Sequence, residues 1–176
     1  DLDIAEANIK AMASFASENG VSMRPHMKTG KSPFWALKQI EAGAIGVCAA
    51  KVGEAEILAE GGVREILVTN QIVSSTKIRR LFGVASRAHV TVAVDNHDNV
   101  DDLSMAAQMF GIELGVILEV ECGMNRAGVK PGEAAVALAR TVENAPGLRF
   151  DGVMGYEGSA VYTEDFDLRK QQAMES

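Results

Sequence analysis

The chain contains 176 residues, of which 47% are hydrophobic and 23% charged, and its formal net charge is −7. This composition is typical of a globular protein with a sizeable core, and the negative charge argues against binding to nucleic acid or an anionic membrane. No apolar run approaches the roughly 20 residues that cross a bilayer. No signal-peptide pattern opens the sequence, so we expect a cytoplasmic protein. The two cysteines, Cys48 and Cys122, lie in apolar runs and are interpreted as reduced core residues.

Helical patterns and short apolar runs alternate along the chain. In the first helix apolar residues recur at spacings of three and four from Leu2 to Ala16, and Gly20 ends it. Pro33 begins the second helix, because proline fits the first helical turn, and Gly43 closes it. Further helices are predicted over 52–60, 75–87, 100–110, 131–144 and from Leu168 onward. The predicted strands are 21–28, 45–50, 65–70, 90–95, 114–120 and 150–156.

Strands as uniformly apolar as these are buried on both faces, which indicates a parallel sheet covered by helices. Such a sheet is either open and doubly wound or closed into a (β/α)₈ barrel. Neither a GxGxxG turn nor a Walker loop follows the first strand, so the best-known nucleotide signatures of the open form are missing. Polar residues follow the strands instead, as the active-site face of a barrel requires, and we favour the barrel. These residues are His26, Lys28, Lys51, Asn70, Gln71, Asp95, Asn96, Asn125, Arg126, Tyr156 and Glu157.

The first candidate for chemistry is Lys28, at the end of the first predicted strand. Arg24, His26, Lys28 and Lys31 place four potential cations within eight residues. Crowding by the other three cations would disfavour the protonated amine of Lys28 and free it to attack a carbonyl. A solvated basic loop is the alternative interpretation of the same segment.

Two further segments follow the last two predicted strands. The first, 121–129, delivers Arg126 to the same face as Lys28, and the rigid donor fork of arginine suits a phenolate or a carboxylate. In the second, Tyr156 and Glu157 lie between glycines that allow a ligand to approach the backbone closely. A structural turn is the alternative for each.

Five segments form an ordered set of motifs over nearly the whole chain. In order they are RPHMKTGK, EAGAIGVCAAKVGEAEILAEGGVREILVTNQIV, VDN, GMNRAGV and GYEG. Together they resemble the D-threonine aldolase and D-serine dehydratase-like enzymes. These are fold-type III pyridoxal-phosphate proteins, related to alanine racemase through its N-terminal barrel. The resemblance therefore implies a (β/α)₈ TIM-type barrel of the alanine racemase N-terminal kind.

The resemblance also implies roles for single residues. The lysine of the RPHxK motif, which holds the cofactor as a Schiff base, is Lys28, and Arg126 corresponds to the arginine near the cofactor's phenolic oxygen. The full implied cofactor-binding set is Lys28, His26, Arg24, Asn70, Arg126 and Tyr156. The implied substrate pocket is Gln71, Asp95 and Glu157. No metal ligand is expected within this chain.

Two positions depart from the family pattern. Gly30 stands where the family usually reads a histidine in KTHK, and Ser159 stands where relatives often read the histidine of YEGH. A missing imidazole affects the orientation of Lys28 or a proton transfer, so a different substrate or a weaker activity is one interpretation.

The activity that the resemblance implies is cleavage of the Cα–Cβ bond of a β-hydroxy-D-amino acid to glycine and an aldehyde. The alternatives are a D-serine dehydratase, a racemase, a single-domain barrel that binds pyridoxal phosphate without catalysis, and a structural fragment without enzymatic activity. A small D-amino acid is the expected substrate, and the full-length parent is expected to be a homodimer. A divalent metal is also expected in that parent, with its ligands in a C-terminal β-domain.

Six predicted strands are two fewer than a closed barrel needs. We therefore expect residues 1–176 to be a partial barrel domain, truncated after strand six and without the C-terminal β-domain. In isolation such a domain should associate through its unpaired sheet edges, bind pyridoxal phosphate weakly and give no cleavage of D-threonine.

Overall fold

Five parallel strands form a single sheet whose spatial order, β1-β2-β3-β4-β5, is also their order in the sequence. The computed structural model describes residues 1–176. Its strands are β1 (Val47–Ala49), β2 (Glu65–Val68), β3 (His89–Val94), β4 (Leu114–Val120) and β5 (Leu148–Gly155). Its helices are α1 (Leu2–Glu18), α2 (Pro33–Glu41), α3 (Val52–Glu60), α4 (Ser75–Ala85), α5 (His97–Phe110), α6 (Glu133–Asn144) and α7 (Phe166–Glu175). A short 3₁₀ turn, Ala160–Tyr162, precedes α7.

The strand order distinguishes the barrel from the open sheet. A doubly wound sheet contains a switch point at which the strand order reverses, whereas here each strand pairs in parallel with the next one along the chain. This is the order of consecutive strands in a (β/α)₈ barrel. The predicted barrel topology is confirmed over these five strands.

One predicted strand is wrong. Residues 21–28 do not form a strand, and only His26 makes a single parallel bridge, to Cys48. The segment still runs beside β1, since the Cys48 N–H donates to the Pro25 carbonyl and the Met27 N–H donates to the Cys48 carbonyl, each at 2.8 Å. Pro25 has no N–H to continue the ladder, so this neighbour of β1 is extended but irregular. The sheet therefore has five strands, where the sequence predicted six.

Local signals explain most helix starts. Side chains of the residues just before the helices accept backbone N–H bonds at the starts of α1, α4, α5 and α7. Because Asn96 caps α5, that helix begins at His97, three residues earlier than predicted. Gly111 ends α5 in the left-handed conformation, with φ of 63°. Pro33 occupies the first position of α2, as predicted.

The two faces of the sheet differ in composition. Residues on the outer face pack against the helices in a core of 29 buried residues, which includes Val92, Val116 and Leu118. The other face, which corresponds to the barrel interior, carries the smaller and polar residues Cys48, Thr91, Gly115 and Glu119. No helix is both long and apolar enough to cross a membrane.

Because the core lies on the helix-covered face of the sheet, truncating a side chain of α5 should destabilise the protein only where that side chain is buried. Leu103 is fully buried, whereas Met109 is 78% exposed. We expect Leu103→Ala to lower the free energy of unfolding by about 2–5 kcal/mol, because it leaves a cavity. Met109→Ala, the matched control on the same helix, should change it by less than about 0.5 kcal/mol. Urea denaturation followed by circular dichroism measures both, and equal effects would contradict the observed packing.

Candidate active site

Lys28 lies in a turn directly after the bridge that joins His26 to β1. Met27 is buried, and its backbone is bonded to Cys48, so the turn begins from a fixed point. The Lys31 N–H donates to the Met27 carbonyl at 2.8 Å and closes the turn. Lys31 itself has a left-handed backbone conformation, with φ of 44°. The Lys28 side chain is exposed. The turn therefore holds the backbone of Lys28 while its amine stays free to reach a ligand.

The crowd of cations predicted around Lys28 is not formed. Lys31 lies 4.0 Å from the carboxylate of Glu54 on α3. The Arg24 guanidinium lies at the opposite end of the strands, with Nη1 2.7 Å from the point where a Cβ on Gly46 would stand. Of the three predicted neighbours, His26 is the one whose contact with Lys28 the structure shows.

Arg24 belongs to a polar layer near the amino ends of β3 and β5. Burial opposes ionisation of Asp151, but hydrogen bonds from Arg149 and Thr91, together with the charges of Arg149 and Arg24, hold the pKa of Asp151 below its usual range. Arg149 and Thr91 donate to this carboxylate at 2.7 and 2.8 Å. This layer lies far along the strands from Lys28, so the structure does not bring Arg24 to the Lys28 turn.

Four side chains from different segments meet at the carboxyl edge of the sheet. Glu119 accepts a hydrogen bond from Gln71 Nε2, and Arg126 Nη2 lies 4.0 Å from its other carboxylate oxygen. The Arg126 guanidinium lies over the Tyr156 ring, 5.2 Å from the ring centroid. The Glu119 side chain is 7% exposed and that of Arg126 is 58% exposed, so the carboxylate is buried beneath a cation that still faces outward.

Glu119 also lies at the candidate site, although the sequence pattern did not single it out. It is the one charged residue in the strand LGVILEV, and that isolated charge was the available signal. A buried carboxylate without partners costs several kcal/mol. Gln71 and Arg126 partly satisfy it here, and both of these had been predicted as site residues.

The loop that carries Arg126 is held from both sides. The Glu121 N–H and the Val129 carbonyl bond at 2.9 Å, and Asp95 Oδ2 accepts the Gly128 N–H at 3.1 Å. Gly128 has φ of 100°, and a Cβ there would lie 2.6 Å from the Glu121 nitrogen, so glycine is required. Asp95 thus positions the Arg126 loop in this structure.

The remaining predicted residues are placed less centrally. Asn70 is exposed, and its Nδ2 donates to the Ala50 carbonyl at 3.4 Å. Glu157 accepts bonds from the Ser159 hydroxyl and from the Ala160 N–H, and these bonds lower the pKa of Glu157. The Ser159 hydroxyl therefore stabilises the turn after β5 through its bond to Glu157.

His26 makes contacts through both ring nitrogens. Nδ1 accepts the Lys28 N–H at 3.2 Å, and Nε2 lies 3.1 Å from the Thr69 hydroxyl, at the end of β2. Burial and the charge of Lys28 lower the pKa of His26, although Glu54 and a hydrogen bond to the Cys48 backbone oppose them. Thr69 is a second residue at the candidate site that the sequence pattern did not single out. No three His, Cys, Asp or Glu side chains are grouped so that they could hold a metal ion.

Comparison with known proteins identifies the family. Residues 1–175 match the alanine racemase N-terminal domain. This chain belongs to that family. The resemblance drawn from the RPHMK and GMNRAG motifs is confirmed at this level, and so is the fold that it implied.

Individual members of the family are similar over nearly the whole chain. A 3-hydroxy-D-aspartate aldolase of Paracoccus denitrificans (strain Pd 1222) is 42% identical over 97% of this chain. A D-threonine aldolase of Arthrobacter sp. is 38% identical over 98%. The crystal structure of D-threonine aldolase from Filomicrobium marinum superposes on 99% of this chain with a TM-score of 0.97, at 40% identity. The chain spans 44%, 45% and 47%, respectively, of these three proteins.

The contact between Asp95 and the Arg126 loop can be tested by substitution of Asp95. We expect Asp95→Ala to leave the Gly128 N–H without its acceptor, to cost about 1–3 kcal/mol, and to speed hydrogen exchange at Gly128. Asp95→Asn keeps an oxygen acceptor and is the matched control. Exchange at Gly128 that is equally slow in the wild type and both variants would show that Asp95 does not hold this loop.

Proposed function

We propose that the complete protein is a pyridoxal-phosphate-dependent lyase that cleaves the Cα–Cβ bond of β-hydroxy-D-amino acids to glycine and an aldehyde. The observation that supports this most directly is the exposed Lys28 amine on a fixed turn, in a chain similar throughout to 3-hydroxy-D-aspartate and D-threonine aldolases. We further propose that the complete protein is a homodimer, as the family resemblance implies.

The residues present fit pyridoxal phosphate. An aldehyde needs a primary amine on a rigid backbone, which Lys28 provides. A phenolate oxygen needs a cation with directed N–H donors, which Arg126 provides. The buried Glu119 carboxylate lies 4.0 Å from Arg126 and stabilises the guanidinium at this edge of the sheet. When bound, the cofactor takes up the electrons released as a bond to the α-carbon breaks.

Each of the chain's own residues then has a defined task. Lys28 holds the cofactor, and Arg126 orients its phenolic oxygen or a substrate carboxylate. Tyr156 offers a flat face that supports the guanidinium through a cation–π contact. Gln71 donates to Glu119 and so keeps that carboxylate aligned with Arg126. The Arg24 guanidinium lies near Asp151 at the opposite end of the strands from Lys28. We therefore do not propose Arg24 as a cofactor-binding residue. No step is assigned to a metal.

Labelling tests the assignment of Lys28. Treatment of the protein with pyridoxal phosphate and then borohydride should attach a phosphopyridoxyl group to Lys28, which peptide mapping detects. Lys31 and Lys51 lie close by in the sequence and serve as internal controls. A label on either of them, with Lys28 unmodified, would overturn the assignment.

Product analysis tests the reaction. The complete gene product should release glycine and an aldehyde from D-threonine and from 3-hydroxy-D-aspartate. Arg126→Lys keeps the charge but loses the donor fork, so we expect kcat/KM to fall by about 100-fold and the absorbance of the bound cofactor to change. Formation of a keto acid and ammonia would indicate a dehydratase instead, and formation of the opposite enantiomer would indicate a racemase.

A further inference from the structure

His26 lies between the backbone of Lys28 and the end of β2. Its Nδ1 accepts the Lys28 N–H, and its Nε2 meets the hydroxyl of Thr69. That hydroxyl is in turn 3.3 Å from the Ala49 carbonyl, to which the Thr69 N–H also donates at 3.0 Å. The chain of contacts therefore links Lys28 to two strands, β1 and β2, through one imidazole.

The direction of each bond in this chain follows from the donors available. A backbone N–H can only donate, so Nδ1 of His26 must be unprotonated. The Ala49 carbonyl can only accept, so the single proton of the Thr69 hydroxyl is directed to it. Nε2 of His26 must then carry the ring proton and donate it to the Thr69 oxygen. The observed contacts require one neutral tautomer, with its proton on Nε2.

We propose that His26 is a positioning residue for Lys28, and that Thr69 holds it in the tautomer that accepts the Lys28 N–H. This rests on the proposed function in one respect, namely that Lys28 is the residue that holds the cofactor. A second proton on the ring would go to Nδ1, where it would face the Lys28 N–H and break that bond. The Lys28 N–H then loses its acceptor in acid, while the bonds that Met27 makes to Cys48 and Lys31 persist.

The groups around His26 favour its neutral form near pH 7. Lys28 on its own turn and burial against β1 both lower the pKa of the ring. Glu54 on α3 and a hydrogen bond to the Cys48 backbone act in the opposite direction, and the net pKa of His26 is still lowered. The Glu54 carboxylate also accepts the Ala50 N–H at 2.8 Å and lies 4.0 Å from Lys31. Thr69, the residue directly after β2, is uncharged. Because the pKa of His26 is lowered from about 6.5, the contact with Lys28 should persist until the pH falls below that value.

Four variants test the contact of His26 with Lys28 separately from its contact with Thr69. His26→Asn places an amide oxygen close to the position of Nδ1, so it keeps the acceptor for Lys28 but cannot titrate. His26→Gln reaches toward Thr69 and loses that acceptor. Thr69→Val removes the hydroxyl, and Thr69→Ser, the matched control, keeps it.

The first measurement is hydrogen exchange at the Lys28 amide in the complete protein without cofactor, expressed relative to an unstructured peptide of the same sequence. We expect His26→Gln and Thr69→Val to speed exchange about tenfold, the effect of one lost hydrogen bond. Thr69→Ser should behave like the wild type. Wild-type protection should fall in acid, and His26→Asn should remove that pH dependence. Amides of β4 should stay protected in every variant, which separates a local effect from unfolding.

Two results would overturn the inference. One is unchanged protection of Lys28 in both His26→Gln and Thr69→Val, and the other is an acid-dependent loss of protection that survives in His26→Asn. Neither depends on the cofactor. Borohydride labelling of the same variants then tests the link to function, since slower labelling of Lys28 is expected wherever its amide is released. If wild-type Lys28 is protected as expected but never labels, the proposed function fails while the positioning contact stands.

Discussion

Parallel pairing of consecutive strands brings every carboxyl end of this sheet to one edge. The Lys28 turn, Gln71, the Arg126 loop and Tyr156 are far apart in the sequence, yet each follows a strand or an extended segment that ends there. Two-residue alternation along β4 adds the side chain of Glu119 from the interior face of the same edge. A different strand order would place these groups far apart. The candidate site therefore requires this strand pairing, whichever single contacts are present.

Charge at the site is arranged around one buried carboxylate. Glu119 is almost completely shielded from solvent, and a charge in that environment needs donors. Gln71 supplies a hydrogen bond, and Arg126 supplies a positive charge at the solvent boundary. Because Arg126 also stacks on Tyr156, its guanidinium is supported from two directions and still faces outward. A ligand oxygen placed at this edge would meet an oriented cation.

The segment before α2 carries side chains that reach both ends of the sheet. Arg24 extends to the polar layer around Asp151, whereas His26, two residues later, holds the turn that presents Lys28. Pro25 lies between them and interrupts the ladder, so the segment is anchored to β1 by only a few backbone bonds. The side chain of His26 adds contacts with the Lys28 N–H and with Thr69 to these backbone bonds.

The sequence by itself determined the family, the helices and the alternation of helix and strand, because periodic apolar patterns, capping residues and ordered motifs are local properties. It also predicted Lys28, Arg126 and Gln71 as candidate site residues, since strand ends can be recognised without coordinates. The tertiary structure alone decided that residues 21–28 pair irregularly and that Arg24 faces the opposite end of the strands. It also placed Glu119 against Gln71 and Thr69 against His26. Those outcomes depend on which strand lies next to which and on where a long side chain finds its partner. Neighbours in space that are separated by tens of residues leave no local pattern from which such pairings can be predicted.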